Sequence, residues 1–427
     1  MKHFVLSALS ALWLTLTASA QLTLDDCLRL ADANYPLIKK YALVEQTEAI
    51  NLSDINKGWL PRIGVYGQLT GQNAVPSFPD ALSGMLDRLG QKMEGLGHVQ
   101  YKAGIDISQT VWDGGASKSR RNVERVKAEV NASALDVEMY AMHDRVQSLF
   151  FGILLLDRQT EQTKASIELL ESNHARLMSM VSNGTAMQAD ADMVEAQTLS
   201  VRQQLAQAES SREAYGKALE LYIGERLGGR TLILPSADMP AEMTSMRPEL
   251  RMYENQIRLN AARADAVNPT LMPRLGFFAQ AYYGYPGLNY FESMRNRDMS
   301  VNLLAGIKLS WNIDSFYTRK NTLRSYEIAT ASTEADRDLF LFRSGVETEN
   351  ILEQIDGLRD VMKKDARIVM LRTGVRKAAE SQLVNGVIDA TALLAKITDE
   401  TQARLSSLCH EIQLVQKIYQ LRHTLNR

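Results

Sequence analysis

Between Asp113 and Gly184 the apolar residues hold a helical rhythm. Val123, Val126, Val130, Ala134, Val137 and Ala141 fall at steps of three and four, the spacing of a coiled-coil seam. No proline interrupts the stretch, and its glycines are the opening Gly114 and Gly115, a lone Gly152 and the closing Gly184. A helix over 116–182 is predicted, about 100 Å long at 1.5 Å per residue. A rod of that length cannot bury its seam alone. The same steps return through Ile328, Ala331, Ala335, Leu339, Phe342 and Val346 and predict a second rod over 318–384. Each rod ends at a turn signal, Asn183-Gly184 and Asn385-Gly386. Return helices are expected over 187–223, carrying Val194, Leu199, Leu205 and Leu219, and over 388–425.

Ahead of each rod the period changes from helical to two. In the segment 63–70, Ile63, Val65 and Leu69 share one side with Gly67, and most of the intervening residues can face water. Tyr101, Ala103, Ile105 and Ile107 then alternate with Lys102, Gly104, Asp106 and Ser108. The two segments predict a hairpin over 63–109 around a loop rich in Gly and Pro, 71–99. A second hairpin over 275–310 places Leu275, Phe277, Ala279 and Ala281 on one face, and Val301, Leu303, Ala305, Ile307 and Leu309 on another. Upstream, a short helix is expected over 22–33, with Thr23 as N-cap and Asp26 in capping-box spacing. Tyr35-Pro36-Leu37 opens a helix to about residue 56, which Leu60-Pro61-Arg62 breaks.

These elements are written twice. Pro36 and Pro248, Pro61 and Pro273, Arg62 and Arg274, Gly64 and Gly276, and Gln68 and Gln280 all stand 212 positions apart. Further on the offset is 202, with Ala103-Gly104-Ile105 matching Ala305-Gly306-Ile307, and Asn183-Gly184 matching Asn385-Gly386. The change falls in the loop between strands, where length differences are tolerated. The organisation is therefore a first repeat over 21–226, a connector over 227–246 with a short apolar run at Thr231-Leu232-Ile233-Leu234 that can form a small strand, and a second repeat over 247–427.

Composition narrows the classes. A net charge of -2 and a pI near 6.4 carry no basic footprint, which argues against a nucleic-acid partner. Lys2, the apolar run from Phe4 to Leu16 and the small residues Ala18-Ser19-Ala20 form a secretory signal over 1–20, cleaved near Ala20. No later run of 18 apolar residues predicts a membrane-spanning helix. Cys27 and Cys409 sit near opposite ends; a disulfide and two separate thiols both remain open, with a small buried thiol favoured for Cys27. Four strands of about ten residues with an apolar outer face match membrane-spanning β-strands. Four cannot close a barrel, and open edges in lipid leave backbone groups unpaired, so closure needs more copies of the chain. Two copies give eight strands and a filled interior; three give twelve and room for a lumen. A secreted coiled-coil structural or adhesin protein would explain the rods but leave the apolar strand faces uncovered.

The signal peptide, the Leu60-Pro61-Arg62 step into a strand, Trp112-Asp113-Gly114-Gly115 ahead of the first rod, the Arg247-Pro248-Glu249-Leu250 helix start and the doubled Asn-Gly tips resemble the TolC-type outer membrane factor (outer membrane efflux protein) family. The resemblance covers essentially the whole mature chain. It implies a mainly α fold with membrane β: a homotrimer whose 12-stranded β-barrel continues into an α-helical periplasmic tunnel in a Gram-negative bacterium. It further implies an exit duct of a tripartite efflux pump, with a periplasmic adaptor (membrane fusion) protein, an inner-membrane transporter of RND or ABC type, and outer-membrane lipid as partners. The same fold serves type I protein secretion, and the residues do not choose between the two.

Candidate functional residues cluster at the tips. Asp190 and Asp192 lie within the first turns of the return helix after Gly184, and in a symmetric pore would form a negative ring; they also suit a helix N-terminus for reasons of dipole alone. Asp190 stands six residues past the tip glycine, where members of the resembled family often carry an aperture aspartate. In the second repeat that position is Ala392, and the acid is Asp389. Arg176, Arg372 and Arg376 are candidate partners of these acids or simply solvated helix charges. Adaptor docking by analogy would use Ser182, Asn183, Gly184 and Thr185, together with Asn385, Gly386 and Val387. The glycines also suit an ordinary helix stop. Histidines are scattered without ligand spacing, and no P-loop, His-Glu pair motif or nucleophile elbow occurs, so neither an enzyme, a cofactor nor a metal site is expected. Met178, Met180, Met187 and Met193 admit soft-metal export but more commonly fill cores. Tyr282, Tyr283, Tyr285 and Tyr290 read as an interfacial aromatic belt or as exposed loop aromatics.

Overall fold

The computed structural model describes residues 21–426 apart from Lys92 and Glu94; the signal expected over 1–20 lies outside the described residues. In chain order the first repeat contains β1 (Gln21–Leu22), α1 (Leu24–Asn34), α2 (Ile38–Lys57), β2 (Arg62–Gly71), α3 (Asp80–Arg88), β3 (Val99–Trp112), α4 (Ala116–Ser182) and α5 (Gln188–Ile223). After β4 (Thr231–Leu232), the second repeat contains α6 (Pro248–Asp265), α7 (Val267–Thr270), β5 (Arg274–Tyr285), α8 (Tyr290–Asn296), β6 (Ser300–Ser310), α9 (Ser315–Val384) and α10 (Ala390–Leu425). The first rod has the bounds expected, 67 residues without a break. Thr23 caps α1 and exchanges hydrogen bonds with Asp26. Three expectations need correction. Leu22 does not belong to the first helix, because Gln21–Leu22 pairs in parallel with Thr231–Leu232. The loop 71–99 contains the short helix α3, held by an amphipathic run that Pro79 opens. The second rod begins three residues earlier than 318, where Asp314 Oδ1 accepts the Ser315 N–H at 2.9 Å.

The chain divides into two compact units. One comprises residues through Ala42 with Ala132–Tyr253 and Ala335 onward; the other comprises Leu43–Asn131 and Glu254–Glu334. Each repeat contributes to both units, so the duplication is not a pair of separate domains. The second unit holds an antiparallel sheet in the order β2-β3-β5-β6, in which the first hairpin is joined to the second through β3 and β5. Register places Val65, Ile105, Ala281 and Leu303 in one row across the sheet, and Ile63, Ile107, Ala279 and Ala305 in the next. This apolar face is open: Val65 is 82% exposed, Leu303 71% and Ile307 67%. The opposite face carries Arg62, Gln68, Lys102, Asp106, Ser108, Gln280, Asn302 and Lys308 in alternate positions. Gln280 Nε2 donates to Asp106 Oδ1 at 2.7 Å, and the Lys102 ammonium lies over the Tyr66 and Tyr282 rings. A bulge between Thr110 and Trp112 shifts the phase of β3 where it ends. At the other end of the sheet, Tyr285, Leu96 and Met294 form a small core with Val75 and Phe78 under the loop helices.

In the first unit the two long pairs α4–α5 and α9–α10 each bury an apolar stripe. Phe150, Phe151 and Ile153 are fully buried along α4. The lone Gly152 of that rod has a steric cause, since a Cβ there would lie 2.7 Å from two ring carbons of Tyr215 on α5. Ile351 and Ile355 of α9 pack on Ile418, Leu421 and Leu425 of α10. The Asn34 side chain donates to the carbonyls of Leu221 and Tyr222, satisfying the last turn of α5 before Gly224 ends it in left-handed backbone. The two predicted seams differ. Val126 of the first is buried against Leu259 and Ala262 of α6. Ile328, Leu339, Phe342 and Val346 of the second are 46–70% exposed.

Candidate functional site

Both rods end in the same backbone device. Thr185 N–H donates to the Met180 carbonyl and Gly184 N–H to that of Val181, each at 2.9 Å. At the second tip, Val387 N–H donates to Gln382 at 2.9 Å and Gly386 N–H to Leu383 at 3.0 Å. This is the Schellman stop, which needs a left-handed residue; Gly184 has φ 72° and Gly386 φ 70°. Asn183 and Asn385 repeat each other too, each Nδ2 donating to a serine carbonyl, Ser179 or Ser381, at 2.9 Å. Ser182, Asn183, Gly184 and Thr185 are exposed, as are Asn385, Gly386 and Val387. Directly beneath, Leu170, Leu177, Ala191, Val194, Leu383, Leu393 and Ile397 form one core from all four long helices, so the two tips are a single packed body.

The tip acids serve the helix starts. Asp190 is half-buried, and its carboxylate accepts the Met187 N–H at 3.1 Å. Asp192 is exposed and accepts from Gln188 Nε2 at 2.7 Å. Asp389, also exposed, is the N-cap of α10 and accepts the Ala392 N–H at 2.8 Å. The arginines are not brought to these acids within one chain. Arg372 pairs with Asp399 at 2.6 Å, Arg376 pairs with Glu380 and Glu400, and Arg176 is exposed without an ion pair among the described residues.

Around Arg376 lies a buried polar network that spacing alone did not reveal. Glu400 is 4% exposed, and its carboxylate accepts from Arg376 Nε, from Thr373 Oγ1 at 2.8 Å and from Arg404 Nε and Nη2 at 2.8 and 2.7 Å. Burial would raise the Glu400 pKa, but the hydrogen bonds from Arg404, Thr373 and Arg376 outweigh it and hold the carboxyl below the ordinary glutamate range. The i,i+4 pairs Arg376–Glu380 and Glu400–Arg404 were readable in the sequence, but not the bond that joins α9 to α10.

Other candidates resolve by position. His143 meets Asp32 at 2.7 Å and His410 meets Asp365 at 2.9 Å. His423 stacks on Tyr140 with ring centroids 4.1 Å apart, and burial lowers its pKa to about 4. No group of three or more His, Cys, Asp or Glu side chains placed to hold a metal occurs among the described residues. Both cysteines are free thiols. The four tyrosines do not share one face. Tyr282 lies on the polar face under Lys102 and Tyr283 on the apolar face, Tyr285 is buried with its hydroxyl accepting the Gly97 N–H at 2.6 Å, and Tyr290 opens a loop helix. Met187 is 75% exposed, and Met178 and Met193 are about 40% exposed.

The chain matches no protein-family profile and no curated relative by sequence. By structure it is similar over nearly its whole length to solved outer-membrane proteins. CusC, described in terms of transmembrane channel formation, is 14% identical with a TM-score of 0.69, covering 97% of this chain and 94% of its own. The outer membrane protein VceC from Vibrio cholerae is 11% identical with a TM-score of 0.68, covering 94% and 95%. The Campylobacter jejuni CmeC outer membrane channel is 11% identical with a TM-score of 0.67, covering 94% and 85%.

Proposed function

Starting from the fold of TolC-type outer-membrane channels, which this chain carries, we propose that the protein is the outer-membrane exit duct of a tripartite efflux pump, conducting cargo passively and without catalysis. The observation that carries the reading is the sheet: four strands with an apolar face turned to solvent and two open edges, β2 and β6. Lipid would cover that face, and an open edge in lipid leaves backbone groups unpaired at several kcal/mol each. Because the strand number is even, β6 of one copy meets β2 of the next antiparallel, and three copies make a 12-stranded cylinder wide enough for a lumen. The exposed seam of α9 gives the helical part a face for the neighbouring copy as well. The homotrimer count, the periplasmic adaptor and the energised inner-membrane transporter come from the family resemblance. In such an assembly the exposed tip turns are the adaptor's footing, and Asp190 and Asp192, repeated about the axis, ring the aperture.

The test is conductance in planar bilayers. The purified mature chain is expected to form discrete, cation-preferring channels, and Asp190→Ala to raise single-channel conductance or reduce the cation preference. Unchanged values for both would remove the gate assignment. A wild-type chain that is monomeric in detergent and never conducts would remove the duct.

A further inference from the structure

The polar face of the sheet carries an uncompensated positive end. Arg62 opens β2, Arg274 opens β5 at the duplicated position, and Lys308 lies near the end of β6, so all three stand at the same end of the sheet. They line a cleft of about 400 Å³ whose walls contain no carboxylate. Arg62 and Arg274 also border an adjoining cleft of about 560 Å³ shared with Arg120. The acids of that second cleft are engaged: Asp54 pairs with Lys57 at 3.1 Å, and Asp113 accepts the N–H groups of Gly115 and Ser117 at 3.0 and 2.6 Å. None of the side chains of Arg62, Arg274 and Lys308 makes a hydrogen bond or ion pair among the described residues. Across the whole polar face the one acid, Asp106, is already bonded to Gln280. Lys102, further along, is occupied by the Tyr66 and Tyr282 rings.

The same cleft has an apolar wall. The Phe278 ring lies over Gly306 on the neighbouring strand, so close that a Cβ on Gly306 would come within 3.0 Å of the ring. Ser108, Thr110 and Ser310 add hydroxyls beside it. Two guanidinium groups and an ammonium without counterions, next to a flat aromatic surface in a space of ligand size, form a receptor for a molecule with one anionic end and one apolar body.

We propose that this cleft is a binding site for anionic amphiphiles, molecules joining a carboxylate, sulfonate or phosphate group to an aromatic or aliphatic body. The proposal rests on the duct reading, which makes the polar face of the sheet the wall of the lumen. The guanidinium groups hold the anionic end and Phe278 the apolar end, so cargo of this class dwells where the strands meet the helices.

The test is block of potassium current through the reconstituted full chain by 1-pyrenesulfonate. The Arg62→Gln, Arg274→Gln double variant is expected to raise the half-blocking concentration at least tenfold, since charge-assisted hydrogen bonds are each worth roughly tenfold or more. Phe278→Leu should raise it several-fold. The charge-keeping Arg62→Lys, Arg274→Lys double variant should raise it clearly less than the glutamine variant does, which separates binding from a structural role. Conducting wild-type channels that the probe does not block, or equal block in wild type and the glutamine variant, would overturn the site while leaving the duct standing. A loss of block in the lysine variant as large as in the glutamine variant would also overturn it. A wild-type chain that does not conduct removes the duct and the site together.

Discussion

Leu303 and Leu304 are neighbours in β6 on opposite faces of the sheet, and a lysine at each reports on which face meets lipid. Leu303 is 71% exposed and stands in the row of Val65, Ile105 and Ala281, near the middle of the strands. If that face lies in hydrocarbon, Leu303→Lys places a cation near the midplane, at a cost of about 2–4 kcal/mol. Each 1.4 kcal/mol is tenfold in an equilibrium, so the ratio of folded to unfolded chain at a fixed denaturant concentration should fall by roughly 30-fold or more. Leu304 stands in the row of Gly64, Asp106 and Gln280, so a lysine there faces the polar side and an acid. Leu304→Lys should cost under about 1 kcal/mol, the loss of partial leucine burial offset by solvation and by Asp106. The measurement is urea titration of chain refolded into phospholipid vesicles, read by the heat-modifiable band on a gel. Equal shifts for the two variants would refute the assignment of faces, and with it the argument that lipid and sister chains complete the sheet.

Three further outcomes follow from buried groups. Glu400→Gln should lower the stability of the α9–α10 pair by about 3 kcal/mol, the low end for removing one partner of a buried ion pair, because Arg404 is itself 42% exposed. In hydrogen exchange, protection over residues 370–405 should drop roughly 100-fold; unchanged protection would count against the network. The wild-type pH dependence has a definite sign. The folded carboxyl lies below its ordinary value of 4.5, so its stabilisation is complete above that value and is lost as the pH falls through the lowered folded one, a loss absent from the glutamine variant. Burial pushes the Cys27 thiol up to about 12. In a Cys409→Ser background, maleimide at pH 7.5 should therefore leave Cys27 unlabelled until urea unfolds the chain; rapid labelling of the folded protein would contradict its burial.

Sequence by itself determined the features that repeat along the chain. A seam at steps of three and four needs nothing but the helix to be legible, so α4 was readable to the residue. Alternation located the strands to within a few residues, and Asn183-Gly184 with Asn385-Gly386 marked both tips because a left-handed helix stop has few chemical solutions. The tertiary structure decided what depends on partners distant in sequence. Pairing of β3 with β5 joins the two repeats into one sheet, and only that register shows Arg62, Arg274 and Lys308 bordering the same cleft. The lone Gly152 of the rod has its reason in the Tyr215 ring of the facing helix, which no local pattern announces. Arg376 was placed near the tip acids by proximity in sequence, yet a nearer buried carboxylate, Glu400, claims it from the facing helix. Periodicity fixes the direction in which a side chain leaves its own element. Which group meets it there is set by how the elements pack, and one strand or helix does not carry that information.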